Sequence, residues 1–459
     1  MNQRNMREKS IMSLLVSMGV PMTISMIANS LYNIVDSIFV SMISQNAMTA
    51  LSLLFPLQNV MFSVAVGFGV GINAVCARQL GAGNGVLADE TASAGIWLSI
   101  LHGAIVTAVC LLVSRPFLLL YRPGAEILRD GMAYARVVFL FSIIVNLQIT
   151  WQKIFQAAGW MTSSMTAMLI GAGCNILLDP LMIFGIGVFP RMGISGAGLA
   201  TGISQTISLI FYLLLYKRGG FPIHVHLRKA HFPGAQVKGM YAVGAAATMN
   251  MLLPSFLITC LNAILAPFSA VYVFVLGIYY KLQNFLYMAS NGLVQGMRPL
   301  MAYNYGAREK QRVWTIYKDA LKLTLWIMAA GTVLCQCIPR QLTALFSAGP
   351  EALRIGTGAL RIICIGFLPS AVSVVASGCL EALGRGIESF VISFLRYTAV
   401  ILPCAAVLSR IIGPSGVWHA FWIAEAVTAA VSWILFRRVY QNLSWGGKGA
   451  DGGVQSSAE

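Results

Sequence analysis

Acids are scarce in this chain: 15 Asp and Glu among 459 residues, with all charged residues together at 10%. A soluble domain carries about 25% charged residues, so at 58% hydrophobic residues and a mean hydropathy of +0.76 a soluble globular fold is excluded. No GxxxxGK[ST] phosphate loop occurs, which excludes an ATP-driven motor built into this chain and leaves an ion gradient as the source of energy. The nine cysteines, Cys76, Cys110, Cys174, Cys260, Cys335, Cys337, Cys364, Cys379 and Cys404, lack metal-ligand spacing and are expected to be small packing residues. No nucleophile–base pattern stands at a recognisable spacing, so no enzyme and no cofactor are expected. "GFGVG" at Gly67–Gly71 has no preceding βα unit and is expected to serve close helix packing. His102 stands alone in its apolar run and is expected to pack.

What the chain has instead is apolar runs of about 20 residues, the length that crosses about 30 Å of hydrocarbon as helix. Twelve are placed, from 13–40 to 416–436, giving an all-α integral membrane protein. The first run follows "MNQRNMREKS", continues through Pro21 without a small-residue cleavage pattern, and is expected to be retained as a helix. An even number of spans puts both termini on one side. Basic residues concentrate in alternate connections, including Arg78, Lys153, Arg298 and the loop "YKRGGFPIHVHLRKAHFPG", so both termini are expected in the cytoplasm of a plasma (inner) membrane. The net charge of +16 is then a topology signal facing anionic lipid, and nucleic acid is not an expected partner. The Gly/Ser-rich tail "QNLSWGGKGADGGVQSSAE" is expected to be disordered.

The chain repeats itself. One constant offset carries Leu57, Gln58 and Asn59 onto Leu282, Gln283 and Asn284, "GINAVCARQLGA" onto "GMRPLMAYNYGA", Gly159 onto Gly384 and Ser164 onto Ser389. Near the end the register shifts slightly, where "GISGAGLA" from Gly193 meets "GPSGVWHA" from Gly413. The expected organisation is a cytoplasmic N-terminus (1–12), an N-terminal six-helix lobe (13–216), a basic linker (217–238), a C-terminal six-helix lobe (239–436) and a tail (437–459). Parallel halves of this kind rock about a cleft between them, and polar residues facing that cleft carry selectivity.

Two acids interrupt the apolar runs of the first half. In "NILLDPLMIF", Asn175 and Asp179 share a helix face at i and i+4, and Pro180 frees a backbone carbonyl beyond them. In "SLYNIVDSIFV", Tyr32 and Asp36 share a face and Asn33 lies one turn before the acid. A carboxylate at mid-membrane costs about 2.5–3.5 kcal/mol on insertion scales, so two of them imply an ion site, against the plainer reading of structural hydrogen bonds between helices. The repeat places Leu261 and Cys404 at the equivalent positions of the second half, so ion coupling is expected in the first. Lys281 and Arg396 lie inside spans of the second half, where each lines the cleft or pairs with an acid such as Glu381, and a snorkelling Lys281 is the plain alternative. Gln283 joins them as a cleft candidate, and Glu381 is expected to pair with Arg385 at i+4.

Taken together, "P…LYNIVDSIFV", "GINAVCARQLGAGN", "FQAAGWMTSSM", "NILLDPLMIF", "GISGAGLATGISQ" and "GMRPLMAYNYGA" resemble the multidrug and toxic compound extrusion (MATE) transporter family along nearly the whole chain. The resemblance implies a twelve-helix, two-lobe antiporter expelling organic, often cationic, compounds in exchange for Na+ or H+. By position it implies a coupling-cation site at Asp36, Asn175 and Asp179, with Thr201 as the sixth-span hydroxyl and Tyr32 as a hydrogen-bonding neighbour. Pro21 matches the proline at which the first helix is thought to bend. The expected partners are small organic substrates and membrane lipid, with no ATP and no obligate protein partner. The competing readings are a lipid-linked oligosaccharide flippase of the same broader superfamily and a receptor or scaffold without transport.

Overall fold

The computed structural model describes residues 3–228, 231–346 and 349–443. A short helix α1 (Gln3–Glu8) leads into α2 (Ile11–Ser41), α3 (Gln45–Gly81) and α4 (Gly85–Leu119). The next span is broken into α5 (Ala125–Leu140) and α6 (Ser142–Ala157), and α7 (Met161–Phe184) and α8 (Ile194–Lys217) complete the first half. The second half holds α9 (Gly234–Leu265), α10 (Ala270–Gly306), α11 (Lys310–Cys337) and the short α12 (Pro339–Ala344). Two broken spans follow, α13 (Pro350–Ile363) with α14 (Phe367–Ala382) and α15 (Gly386–Phe394) with α16 (Ile401–Ile412), before α17 (Ser415–Asn442).

Ten of these segments are long and apolar enough to cross a membrane, and the α5–α6 pair, bent by 44°, makes an eleventh. The twelfth is α10, at 37 residues the equal of α3 in length; Lys281, Gln283, Asn284, Gln295 and Arg298 lower its hydropathy. No proline explains the α5–α6 bend. The Phe141 ring at the break lies so close on Gly202 of α8 that a Cβ there would collide with it, and a side chain wedged against a neighbour is a recognised cause of a kink.

The internal repeat extends to backbone conformation. Ser44 and Ser269 cap α3 and α10, each Oγ accepting a backbone N–H, from Ala47 at 3.0 Å and from Val271 at 3.2 Å. Both have extended backbone, φ −170° and −174°. Gly159 and Gly384 share φ +80° in equivalent turns, the left-handed region that favours glycine.

The halves meet through α2, α3, α9 and α10. A Cβ on Gly71 would collide with the Met240 carbonyl, one on Gly81 with that of Tyr303, and one on Gly306 with that of Arg78. Gly296 packs in the same way on Met18 and Gly19 of α2. These approaches fall in the first half of α2 and α9 and the last half of α3 and α10. Because successive spans alternate in direction, that is one side of the molecule, the side of the N-terminus and of the 218–233 connection. The small residues let the backbones touch there and seal that side of the seam. Asn59 Nδ2 donates to Ser255 Oγ at 3.1 Å farther along it, and beyond this point Phe55 and Phe256 are exposed.

Replacing Gly306 by Leu is therefore expected to prop the seam open. Overpacking costs about 1–3 kcal/mol, and about 1.4 kcal/mol shifts a population tenfold. A Cys introduced at Met18 in a background freed of the nine native cysteines should react with a soluble thiol reagent about tenfold faster in the Leu variant. Equal rates would show that the glycine contact does not hold the seam.

Two expected boundaries move. Residues 234–238 begin α9 rather than ending the linker. The last span runs through Arg437 and Arg438 to Asn442 because Phe436 and Val439 are buried and the Tyr440 hydroxyl donates to the Lys310 carbonyl at 3.1 Å. The rest of the expected tail, from 444, lies outside the described residues.

Candidate functional site

Helix α7 packs between α2 and α8, and this three-helix contact assembles the polar residues of the first half. Asn175 and Asp179, one turn apart on α7, are 1% and 0% exposed. The Asn175 Nδ2 group lies 3.3 Å from Asp179 Oδ1 and 3.4 Å from Thr201 Oγ1 on α8. On α2, Tyr32 is buried and Asp36 half-buried one turn further on. The carboxyls of Asp36 and Asp179 are within hydrogen-bonding reach of each other.

The cluster has acceptor capacity to spare. Asp36 Oδ1, Asn175 Oδ1 and Asp179 Oδ2 are buried without a hydrogen-bond partner. Buried polar atoms are normally satisfied, and exceptions concentrate where a ligand, ion or water belongs. Two carboxylates, an amide oxygen and the Thr201 hydroxyl form the oxygen-only donor set that a hard cation prefers. The same oxygens can instead hold a proton. The arrangement therefore suits one exchangeable cation, carried as cargo.

Tyr134 on α5 and Gln58 on α3 escaped the sequence reading. Tyr134 is 3% exposed and close enough to Asp36, Asp179 and Tyr32 to feel their charge. Gln58 Nε2 lies 2.9 Å from its hydroxyl. The "LQN" repeat marked Gln58, but the cleft assignment went to its counterpart Gln283; Tyr134 carries no signal beyond being one of 15 tyrosines.

Asn33 is exposed; its side chain is within reach of Tyr32 and its amide donates to the Asn29 carbonyl of its own helix at 2.7 Å. Other sequence candidates lie apart from the cluster. Pro21 lies about 22 Å away along α2, at the helical rise of 15 residues; the Ser25 hydroxyl donates to its carbonyl at 2.8 Å. In the second half, Lys281 is exposed with its ammonium 5.7 Å from the Phe346 ring centroid. Gln283 is half-buried on the same helix. Arg396 is 7% exposed and its Nη2 is 2.6 Å from Glu425 Oε1, so it is enclosed with an acid of α17 rather than presented to an open cleft.

One expected pairing and one expected loop position change. Glu381 bonds Arg298 at 2.6 Å and not Arg385, which turns to Glu388 at 3.0 Å. The reason is burial: Glu381 is 2% exposed, facing α9, α10 and α15, whereas Arg385 lies in the turn after α14. Lys153, counted among the loop cations, is 4% exposed on α6.

The family model described as MatE matches residues 21–181 and again 246–407, one match in each half and in the register of the internal repeat. The multidrug export protein MepA of Staphylococcus haemolyticus (strain JCSC1435) is 26% identical over 427 residues, covering 92% of each chain. MepA of Staphylococcus aureus (strain MSSA476) is 26% identical over 436 residues, 93% of this chain and 94% of its own. Among solved structures, the outward-facing conformation of a multidrug resistance MATE family transporter of the MOP superfamily superposes with TM-score 0.89 at 24% identity, covering 95% of this chain and 97% of that one. A MATE structure in the bent conformation gives TM-score 0.90 at 24% identity over 96% and 98%.

Proposed function

From the two MatE matches, which together span most of the sequence, the chain belongs to the MatE family, and we propose that it is a multidrug efflux transporter working as an antiporter of Na+ or H+. The MepA relatives are multidrug export proteins, which favours drug export over the flippase alternative. The observation that carries the ion coupling is the Asp36–Asp179 contact with its three unpartnered oxygens.

The cycle follows from competition. With the seam closed on the side of the termini, which we assign to the cytoplasm, a cation from the opposite side joins Asp36, Asp179, Asn175 and Thr201. Neutralising the two acids removes their mutual repulsion, draws α2 toward α7 and α8, and lowers the affinity of the lobe for a cationic substrate. Rocking about the glycine seam then exposes the site to the cytoplasm, where the cation leaves and substrate loads. Glu381, Glu425 and Lys281 lie outside this ion cycle.

The test is ethidium transport in proteoliposomes of defined orientation, with a Na+ gradient and a pH gradient imposed separately. Transport driven by one of them identifies the coupling ion. If neither gradient drives transport, the antiport reading fails.

A further inference from the structure

Lys153 has no role in that ion cycle, yet it is the most deeply enclosed lysine or arginine of the inner seam. Its stem lies on Gly69 of α3, where a Cβ would approach Lys153 Cγ to 2.8 Å. Its Nζ donates to Gln156 Oε1 at 3.1 Å on its own helix and to Gln295 Oε1 at 3.2 Å on α10, across the lobe boundary. Among the described residues it forms no salt bridge. The acid whose charge reaches it, Glu381, is committed to Arg298 at 2.6 Å and to the Asn250 amide and Ser389 hydroxyl at 2.9 and 3.1 Å. Lys153 feels the charge of both Arg298 and Glu381, so two cations share one anion in a closed seam.

The amides beside it are also poorly matched. Gln156 Nε2 points at Met22 Sδ at 3.1 Å and Gln295 Nε2 at Met26 Sδ at 3.4 Å. A thioether is a weak acceptor, so an ammonium and two amide groups converge with more donors than good acceptors. A buried charge is stable when paired, and the missing partner is an anion. We propose that Lys153 and Gln156 form an anion-accepting subsite for the carboxylate of amphipathic transported compounds, filled when the seam opens toward the termini and Gln295 of α10 withdraws from Lys153. On closure the Gln295 carbonyl takes the carboxylate's place on Lys153, which releases the compound toward the opposite side. The subsite deepens the export reading by adding carboxylate-bearing, zwitterionic compounds to its substrates. The binding measurement below does not depend on transport.

The probes are rhodamine B, which has a free carboxylate, and its ethyl ester, which has the same delocalised cation without it. Fluorescence anisotropy with purified full-length protein gives the affinity ratio of acid to ester. A hydrogen bond to a charged group supports a change of at least about tenfold. Lys153→Gln is expected to lower the acid-to-ester ratio by that factor with the ester unchanged, and Lys153→Arg to keep the wild-type ratio. Gln295→Leu, which removes the competing carbonyl, is expected to raise the ratio. An unchanged ratio in Lys153→Gln, or an equal loss of both probes, overturns the subsite and leaves Lys153 a seam-packing residue. Should Lys153→Gln not fold, a ratio in Gln295→Leu that stays level or falls overturns it equally. Failure of the export reading would show separately, as transport of neither rhodamine by the wild type.

Discussion

Asp36→Asn is expected to insert and fold normally and to lose gradient-driven efflux entirely. The amide has the shape of the carboxyl and can donate to Asp179, so the contact between α2 and α7 survives in the form that a protonated Asp36 would make. What disappears is exchange, because the amide neither releases a proton nor offers a negative charge to Na+. One-for-one exchange of a monovalent ion for ethidium moves no net charge, so a tenfold ion gradient, about 1.4 kcal/mol, sustains about tenfold accumulation. A neutral substrate would add about 2.3 kcal/mol per 100 mV. In proteoliposomes the variant's ethidium ratio should fall from about tenfold to unity, with an unchanged unfolding midpoint in detergent. Undiminished accumulation by Asp36→Asn would remove Asp36 from the coupling and redirect attention to Asp179 alone.

The reach of the sequence can be traced through individual residues. Asp36 and Asp179 stood out because an acid in an apolar run has few alternatives to function. Their i, i+4 partners Tyr32 and Asn175 followed from helix geometry alone. Asn175 and Thr201 meet only because α7 packs on α8, a tertiary fact that family resemblance anticipated and spacing did not. The repeat was legible to the level of single turns, for Gly159 and Gly384 adopt the same φ of +80°. Lys153 was invisible for a physical reason. A cation near the end of an apolar run carries the same topology signal whether it faces water or a helix seam, and the seam exists only once both halves are folded together. Glu381 illustrates the same limit: Arg385 and Arg298 were equally available to it in sequence, and burial on α9, α10 and α15 selected the second. The bend at Phe141 carries no proline and arises from packing, whereas the π-helical turn Leu395–Ala399 ends four residues before Pro403, which has no N–H to give the Ala399 carbonyl.

Glu425→Gln is expected to destabilise the second half by about 3–5 kcal/mol, the usual cost of removing one partner from a buried ion pair. Arg396 donates from Nε to Glu425 Oε1 at 2.7 Å, and its only other hydrogen-bonding partner among the described residues is the Tyr287 hydroxyl at 3.4 Å. Tyr287 and Tyr397 place their ring centroids 5.6 and 5.2 Å from the guanidinium carbon, and their faces supply a further attraction too small to replace a carboxylate. Unfolding free energies in detergent should show the loss for Glu425→Gln and for Arg396→Leu singly, and recovery of most of it in the double variant Arg396→Leu/Glu425→Leu, where no charge is left stranded. A double variant as unstable as the worse single one would mean that the pair contributes more than its own neutralisation. The recovered double variant also tests the location of coupling. If Asp36, Asn175 and Asp179 carry it, that protein should still convert the ion gradient into ethidium accumulation. Stability without coupling would instead make the Arg396–Glu425 pair a second ion-sensitive element and overturn the assignment of coupling to the first half.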